Sequence, residues 1–131
     1  MVNTTRKGYR NEKLIQDAYQ NNGYETYRSP NVRGGDNDIF NLWDLLVLNS
    51  KKVKLIQVKS EMDSWYKWRK FATKWLISNT YKSNSNIPAH DIDYECFVVL
   101  PKRLGGVRKY KWNYYKYEWE LQENNLFDVI K

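Results

Sequence analysis

Apolar residues recur at helical spacing in two segments of the chain. In the first segment, the apolar positions lie three or four residues apart, and Gly23 follows as a residue suited to ending a helix. Thr4 or Thr5 can cap its amino end, so the pattern predicts a helix over about 4–22. The second segment predicts a helix over about 63–78. The apolar positions that define the two helices are Leu14, Ile15, Ala18 and Tyr19, and Trp65, Trp68, Ala72, Trp75 and Leu76.

Short apolar runs between and after these helices predict β-strands. Asn49–Lys52 suits a hairpin connection, and the Gly105–Gly106 pair suits a turn. The order of helix, three strands, helix and one or two further strands predicts an α/β fold, with a central mixed sheet flanked by helices. We expect one domain over residues 1–131, with the apolar residues 126–130 docked on its body. The predicted strands are 24–28, 44–48, 53–59, 95–100 and 107–117.

Composition narrows the possible chemistry. The chain of 131 residues has one cysteine and one histidine, which excludes a disulfide framework within the monomer and makes Cys-based zinc or Ser-His chemistry improbable. The net charge of +7 indicates an anionic partner, with nucleic acid ahead of a membrane surface. The amino terminus does not resemble a secretory signal. We therefore expect a cytoplasmic location, in a cellular, viral or mobile-element context, without membrane association.

Four polar residues form a candidate catalytic group. Gln57 and Lys59 lie two apart in a predicted strand, so they share a face of the sheet at a separation of about 6–7 Å. A hairpin would place Asp44 beside them, and Glu12 lies at the border of the apolar stripe on the first helix. Carboxylate, amide and carbonyl oxygens are the ligands that Mg²⁺ prefers. Asp44, Gln57 and the carbonyl of Val58 could supply them, while Lys59 could act on water or phosphate.

The chain resembles the PD-(D/E)XK nuclease superfamily, and within it the archaeal-type Holliday junction resolvases. The resemblance implies a restriction-endonuclease-like core of order αβββαβ and a catalytic set of Glu12, Asp44, Gln57 and Lys59, in which Asp44, Gln57 and Glu12 hold the metal. It also implies that Mg²⁺ is the cofactor, that Mn²⁺ can substitute, and that a homodimer cuts four-way DNA junctions. The motifs that carry the resemblance are GYRNE at 8–12, GY at 23–24, YRS at 27–29, DLL at 44–46 and QVKS at 57–60.

One position departs from the family signature and leaves alternatives open. Gln57 stands where the signature has an acid, so the site has one negative charge fewer. The chain could instead be a restriction- or repair-type nuclease acting on other DNA, or a DNA-binding module with weakened catalysis. Glu12 could simply favour its helix electrostatically. Asp36 and Asp38 are rival acids in a glycine-containing loop, although the hairpin favours Asp44.

Several cations are candidate phosphate contacts because the chain carries a positive surplus. The tryptophans of the second helix are expected in the core rather than on a base-stacking surface. Cys96 is expected to be a small buried residue, and His90 a loop residue. The residues predicted to contact DNA are Arg10, Arg28, Ser29, Arg33, Lys67, Lys70, Lys74, Arg103, Arg108 and Lys109.

Overall fold

The computed structural model of the chain describes residues 4–28, 39–40, 42–80 and 92–122. The side chains of residues 4–6 and 80 are outside this description. Two α-helices, one short 3₁₀ helix and six strands make up the described fold. They are α1 (Thr4–Asn21), β1 (Glu25–Arg28), β2 (Leu45–Leu48), β3 (Val53–Lys59), α2 (Met62–Thr80), β4 (Ile92–Val99), the 3₁₀ helix (Lys102–Leu104), β5 (Val107–Asn113) and β6 (Glu118–Gln122).

The six strands form one mixed sheet whose spatial order is the chain order, β1 to β6. Only the β3–β4 pair among these strands is parallel, and α2 provides the crossover between its two strands. A parallel pair needs such a crossover because the chain must return to the starting end of the sheet. The predicted α/β fold with a mixed sheet and two flanking helices is therefore confirmed.

The two helices cover opposite faces of the sheet. On one face, Ile15, Ala18 and Tyr19 of α1 pack against a cluster that includes Ile56 and Phe97. On the other, the apolar side of α2 packs against strand residues of β3, β4 and β5. The members of this second cluster are Trp43, Leu55, Trp65, Trp68, Ala72, Leu76, Tyr94, Cys96, Val98 and Trp112. Burial of Trp65, Trp68, Ala72 and Leu76 on the second helix, and of Cys96, is confirmed, whereas Trp75 is partly buried against the same cluster.

The sheet extends one strand further than the sequence pattern indicated. A single strand was expected over 107–117, but the chain turns after Asn113 and returns as β6. The Asn113 side chain accepts hydrogen bonds from the backbone N–H groups of Tyr115 and Lys116, at 2.9 and 3.1 Å. Such side-chain bonds favour a turn over a continued strand. Aromatic and basic residues occur on both sides of this turn, so composition alone did not reveal it.

Smaller differences concern individual residues. Leu14 was expected in the apolar stripe of α1, but its side chain is 42% exposed. Strand β4 begins at Ile92, three residues earlier than predicted. The glycine-containing loop with Asp36 and Asp38, the loop residue His90 and the apolar residues 126–130 lie outside the described part of the chain. Among the described helices, none is both long and apolar enough to cross a membrane.

Candidate active site at one end of the sheet

One end of the sheet collects several of the predicted site residues. The strand directions place the carboxyl ends of β1, β3 and β4 at this end, together with the amino ends of β2 and β5. Arg28, Asp44, Lys59 and Arg108 are therefore at the same end, which we call the site end. Residues far apart in sequence meet here because each one begins or terminates a neighbouring strand.

Asp44 lies directly before β2 and is held by hydrogen bonds at the end of the β2–β3 ladder. It is buried, its backbone N–H donates to the Ile56 carbonyl at 2.9 Å, and its Oδ2 accepts from the Val58 N–H at 3.0 Å. The N–H and C=O of one strand residue point toward the same neighbouring strand. The Val58 carbonyl is consequently also directed toward the β2 side of β3. Carboxylate and carbonyl oxygens thus face the same region, as the hairpin argument predicted.

Gln57 places a polar side chain inside the fold. Its side chain is 4% exposed, and its Oε1 is a buried acceptor without a hydrogen-bond partner among the residues that the structure describes. Leaving a buried polar atom unsatisfied costs about 1–3 kcal/mol. Strand alternation puts Gln57 on the α2 face, since Ile56 and Val58 pack on the α1 face. A bound cation or water would remove this cost.

Lys59 completes the group on the same face as Gln57. It is the last residue of β3, and its side chain is half-buried. Burial raises the pKa of the Cys96 thiol, the positive charge of Lys59 opposes that rise, and the Asp44 carboxylate adds to it. Cys96 pairs with Gln57 across the β3–β4 ladder. Both charges therefore lie close to the strand pair that carries Gln57.

Glu12 is engaged on the α1 face of the sheet. Its Oε2 lies 3.7 Å from Nε of Arg28, and the Arg28 guanidinium also stands 4.0 Å from the centre of the Tyr9 ring. The structure therefore brings Asp44, Gln57 and Lys59 together, while it pairs Glu12 with a cation. Sequence reasoning expected the Glu12 carboxylate in the same cleft and did not identify this pairing.

Two residues link α1 to the site end and were given no role by sequence reasoning. Asn11 Nδ2 donates to Ser60 Oγ at 2.7 Å, which ties α1 to the residue after Lys59. Asn11 lies beside Glu12, so the same contact sets the position of Glu12 relative to β3. The only available signal was their place in the motifs GYRNE and QVKS, which does not predict a mutual contact.

Most of the predicted DNA-contacting cations in the described ranges remain accessible. Arg10, Lys67, Lys70, Lys74 and Arg103 are exposed. Arg108 is half-buried and lies near Met62, with its Nη1 3.8 Å from the sulfur. Ser29 and Arg33 lie outside the described residues, as do the rival acids Asp36 and Asp38.

Lys109 differs from this expectation. Its side chain is 6% exposed, and its Nζ lies 3.2 Å from Oε2 of the fully buried Glu95. Burial lowers the pKa of Lys109, although the Glu95 carboxylate acts in the opposite direction. Tyr110 and Trp112 pack toward α2, so the alternation of β5 directs Lys109 to the opposite face. In this conformation its ammonium group is paired inside the protein and is not available to a phosphate.

Comparisons with known proteins leave the family open. No model of a known protein family matches the chain, and no curated protein matches it. Within the described residues, no three His, Cys, Asp or Glu side chains are grouped so that they could hold a metal ion. A cation site here would therefore depend on Asp44 together with amide and carbonyl oxygens.

Proposed function

We propose that the chain is a metal-dependent DNA endonuclease with a PD-(D/E)XK-type core, acting on four-way DNA junctions. The order of α1, β1, β2, β3, α2 and β4 supports this, since it is the order that the superfamily core requires. The observation that most supports the proposal is the Oε1 of Gln57, which is buried and has no hydrogen-bond partner among the described residues. Gln57 lies beside Asp44 across the β2–β3 hairpin and two residues before Lys59. A divalent cation bound there would give this oxygen the partner that the described residues do not supply.

The donor set fits a hard divalent cation. Asp44 has a second carboxylate oxygen besides Oδ2, and Gln57 and the Val58 carbonyl add neutral oxygens. These residues would hold Mg²⁺, or Mn²⁺ in its place, and the ion would supply Lewis-acid polarisation of the scissile phosphate. Glu12 would add negative charge near the ion from the α1 face, where it is paired with Arg28.

Lys59 would act directly on the substrate. Its ammonium group lies at the accessible end of β3, where it can donate hydrogen bonds to a phosphate oxygen and offset the negative charge that grows during hydrolysis. Arg103 and Arg108 at the same end of the sheet add positive charge around the phosphate path. The reaction would be a direct attack of water on phosphorus, without a covalent intermediate.

The test is a cleavage assay on a labelled four-way junction with Mg²⁺ or Mn²⁺, compared with flap, linear duplex and single-stranded DNA. We expect junction cleavage that falls by about 100- to 1000-fold in Lys59→Ala, the range for losing one preorganised electrostatic contact. Asp44→Asn should fall at least as far. Gln57→Glu should reach half-maximal rate at a lower Mg²⁺ concentration, because it restores a negative charge to the site.

Two controls isolate the site from general charge effects. Lys51→Ala removes an exposed lysine at the opposite end of the sheet, and Asp17→Asn removes an exposed carboxylate of α1. Both should cut like the unmodified protein. If the double variant Asp44→Asn, Lys59→Ala cuts the junction at the original rate, the proposed mechanism is wrong. Preference for duplex or flap DNA would reassign the substrate within the same fold.

A second candidate, a DNA-binding module with weakened catalysis, is favoured by Gln57 itself. A neutral amide holds a divalent cation less strongly than a carboxylate, and one Asp44 oxygen already accepts a backbone hydrogen bond. Such a module would bind junction DNA with a steep salt dependence and leave it intact. Calorimetric titration with Mg²⁺ separates the two, because only the nuclease should lose its metal response in Asp44→Asn.

A further inference from the structure

Helix α2 carries large aromatic side chains on both of its sides. Its inner side is buried in the tryptophan cluster described above. On its outer side, Phe71 is 67% exposed and Tyr66 is 46% exposed. Lys67, Lys70 and Lys74 are also exposed on α2. Single exposed apolar residues are common, but two exposed rings beside three lysines on one helix form a patterned surface.

The helical geometry arranges these five residues in a defined order. At about 100° per residue, Lys67, Lys70 and Lys74 form a central row, Tyr66 lies on one side of it and Phe71 on the other, within an arc of about 140°. The lysine row extends about 10 Å along the axis at 1.5 Å per residue. We call this set of five residues the outer face of α2.

The charge of the outer face selects an anionic partner. Arg69 adds a fourth cation, with its guanidinium carbon 5.2 Å from the centre of the Tyr66 ring. Asp63, in the first turn, is the single acidic residue of α2. Because the lysines lie within about one Debye length of one another, their fields add at physiological salt. Phosphates spaced along a strand match such a row.

The exposed rings favour an unpaired nucleic-acid strand over a closed duplex. A closed duplex presents phosphates and groove edges, and would leave Phe71 and Tyr66 in water. An unpaired strand presents base faces, which stack on aromatic side chains with a gain of about 1–3 kcal/mol per base. The first turn of α2 follows Lys59 by three residues, so this face begins near the candidate active site.

We propose that the outer face of α2 binds an unpaired DNA strand, with Tyr66 and Phe71 stacking on bases and the lysine row contacting phosphates. The choice of DNA rests on the proposed nuclease function, whereas the stacking mode rests on the exposed rings alone. Under that function, this face would hold bases that are unpaired when the protein opens the duplex next to the branch point, while the site end holds the scissile phosphate.

The test measures binding of the full chain in EDTA to fluorescein-labelled oligothymidylate and to an abasic oligonucleotide of equal length. The abasic strand keeps the phosphates and lacks the bases. Phe71→Ala should weaken oligothymidylate binding by about 5- to 150-fold, the equivalent of one lost stacking contact, and leave abasic binding unchanged. Phe71→Leu should behave like Phe71→Ala, and Phe71→Trp should retain affinity.

Matched variants separate the lysine row from the rings. Replacing Lys67, Lys70 and Lys74 by Gln should weaken both oligonucleotides and reduce the slope of log affinity against log salt by about 2. Tyr115→Ala removes a ring that is 83% exposed in the β5–β6 turn, and it should change neither affinity. All these positions are at the surface, and thermal unfolding checks that each variant is folded.

Several results would overturn the inference. One is equal loss on both oligonucleotides in Phe71→Ala, since stacking would then not be involved. A second is a Phe71→Ala variant that binds oligothymidylate as the unmodified chain does but binds phosphatidylserine vesicles more weakly. That result would assign this face to a membrane surface. EDTA prevents metal-dependent cleavage during the binding assay, so the inference can be tested even if the chain cuts no DNA. If the chain cuts DNA but its α2 variants bind oligothymidylate normally, the inference about α2 is wrong and the proposed nuclease function stands.

Discussion

Glu95 illustrates how a charged residue is held inside the sheet. It is fully buried in β4, and its Oε2 lies 3.0 Å from Lys54 Nζ and 3.2 Å from Lys109 Nζ. The Tyr19 hydroxyl donates a hydrogen bond to its other carboxylate oxygen. Burial acts to raise the pKa of Glu95, but the two ammonium groups and this hydrogen bond outweigh it, and its pKa is lowered. The carboxylate therefore stays ionised and links α1, β3, β4 and β5.

This environment makes stability depend on pH. Glu95 has a folded-state pKa below its ordinary value of 4.5, so its contribution to stability is complete above pH 4.5 and declines as the pH falls toward the folded pKa. The unfolded chain binds the proton first, which favours unfolding. Glu95→Gln should lower the free energy of unfolding by about 3–5 kcal/mol at neutral pH, because the buried ammonium groups of Lys54 and Lys109 lose their nearest carboxylate. Urea unfolding at a series of pH values measures both effects.

The control for that measurement is Glu25→Gln, which changes an exposed carboxylate of β1. It should leave both the stability and its acid dependence almost unchanged. An acid profile of Glu95→Gln parallel to that of the unmodified protein would contradict the assignment of this pH dependence to Glu95.

At the scale of elements, α2 is held to the sheet by aromatic contacts. The Trp65 ring stacks on Tyr110 with centroids 4.1 Å apart and meets Trp119 edge-on at 5.5 Å. Trp68 donates from its Nε1 to the Leu42 carbonyl at 3.0 Å. These contacts join α2 to β5, to β6 and to the segment before β2. Because α2 is the crossover between β3 and β4, its packing also fixes the pair of strands that carries Gln57 and Lys59.

Removing one of these rings should therefore be costly. Trp65→Ala should lower the free energy of unfolding by about 3–5 kcal/mol, the range for deleting a buried aromatic side chain. Lys70→Ala, on the outer face of the same helix, should change it by no more than about 0.5 kcal/mol. Denaturant unfolding of the two variants tests this contrast. A loss below about 1 kcal/mol for Trp65→Ala would mean that the cluster does not anchor α2.

At the scale of the molecule, the charge of +7 is distributed over distinct structural roles. Lys54 and Lys109 balance Glu95 inside the fold, and Arg28 is paired with Glu12. Exposed cations remain on α2 and in the 3₁₀ helix after β4. Net charge thus overstates the charge available to DNA, and one group of exposed cations in the described residues lies on α2.

The proposed junction substrate leads to a prediction about assembly. Two strands must be cut symmetrically, so we expect a homodimer with two-fold symmetry that matches the substrate. Sedimentation of the chain with and without junction DNA measures its mass. A mixture of the unmodified chain and Lys59→Ala should accumulate junctions nicked in one strand. A monomer on the junction that cuts each strand independently would contradict the dimer.

Only part of the candidate site could be predicted from local sequence patterns. Asp44 and Gln57 could be placed together from the sequence, because a hairpin between two apolar runs has few possible registers. The partner of Glu12 could not be found in this way, since Arg28 reaches it from another element. Lys109 was misplaced for a similar reason. The alternating pattern of β5 separates its residues into two faces of the sheet. It does not show that the face with Lys109 is the one on which β4 places the buried Glu95.

The sequence by itself determined the helices, five of the six described strands and the surplus of positive charge, because apolar periodicity and composition are local properties of a chain. The sixth strand depended on a side-chain bond of Asn113 within a pattern that otherwise continues. Tertiary structure alone decided which charges are neutralised inside and which rings of α2 face water. It also decided that the Gln57 oxygen is buried without a hydrogen-bond partner in the part of the chain that the structure describes. Burial and ion pairing depend on contacts between segments that are distant in the sequence. They therefore exist only after the sheet has formed.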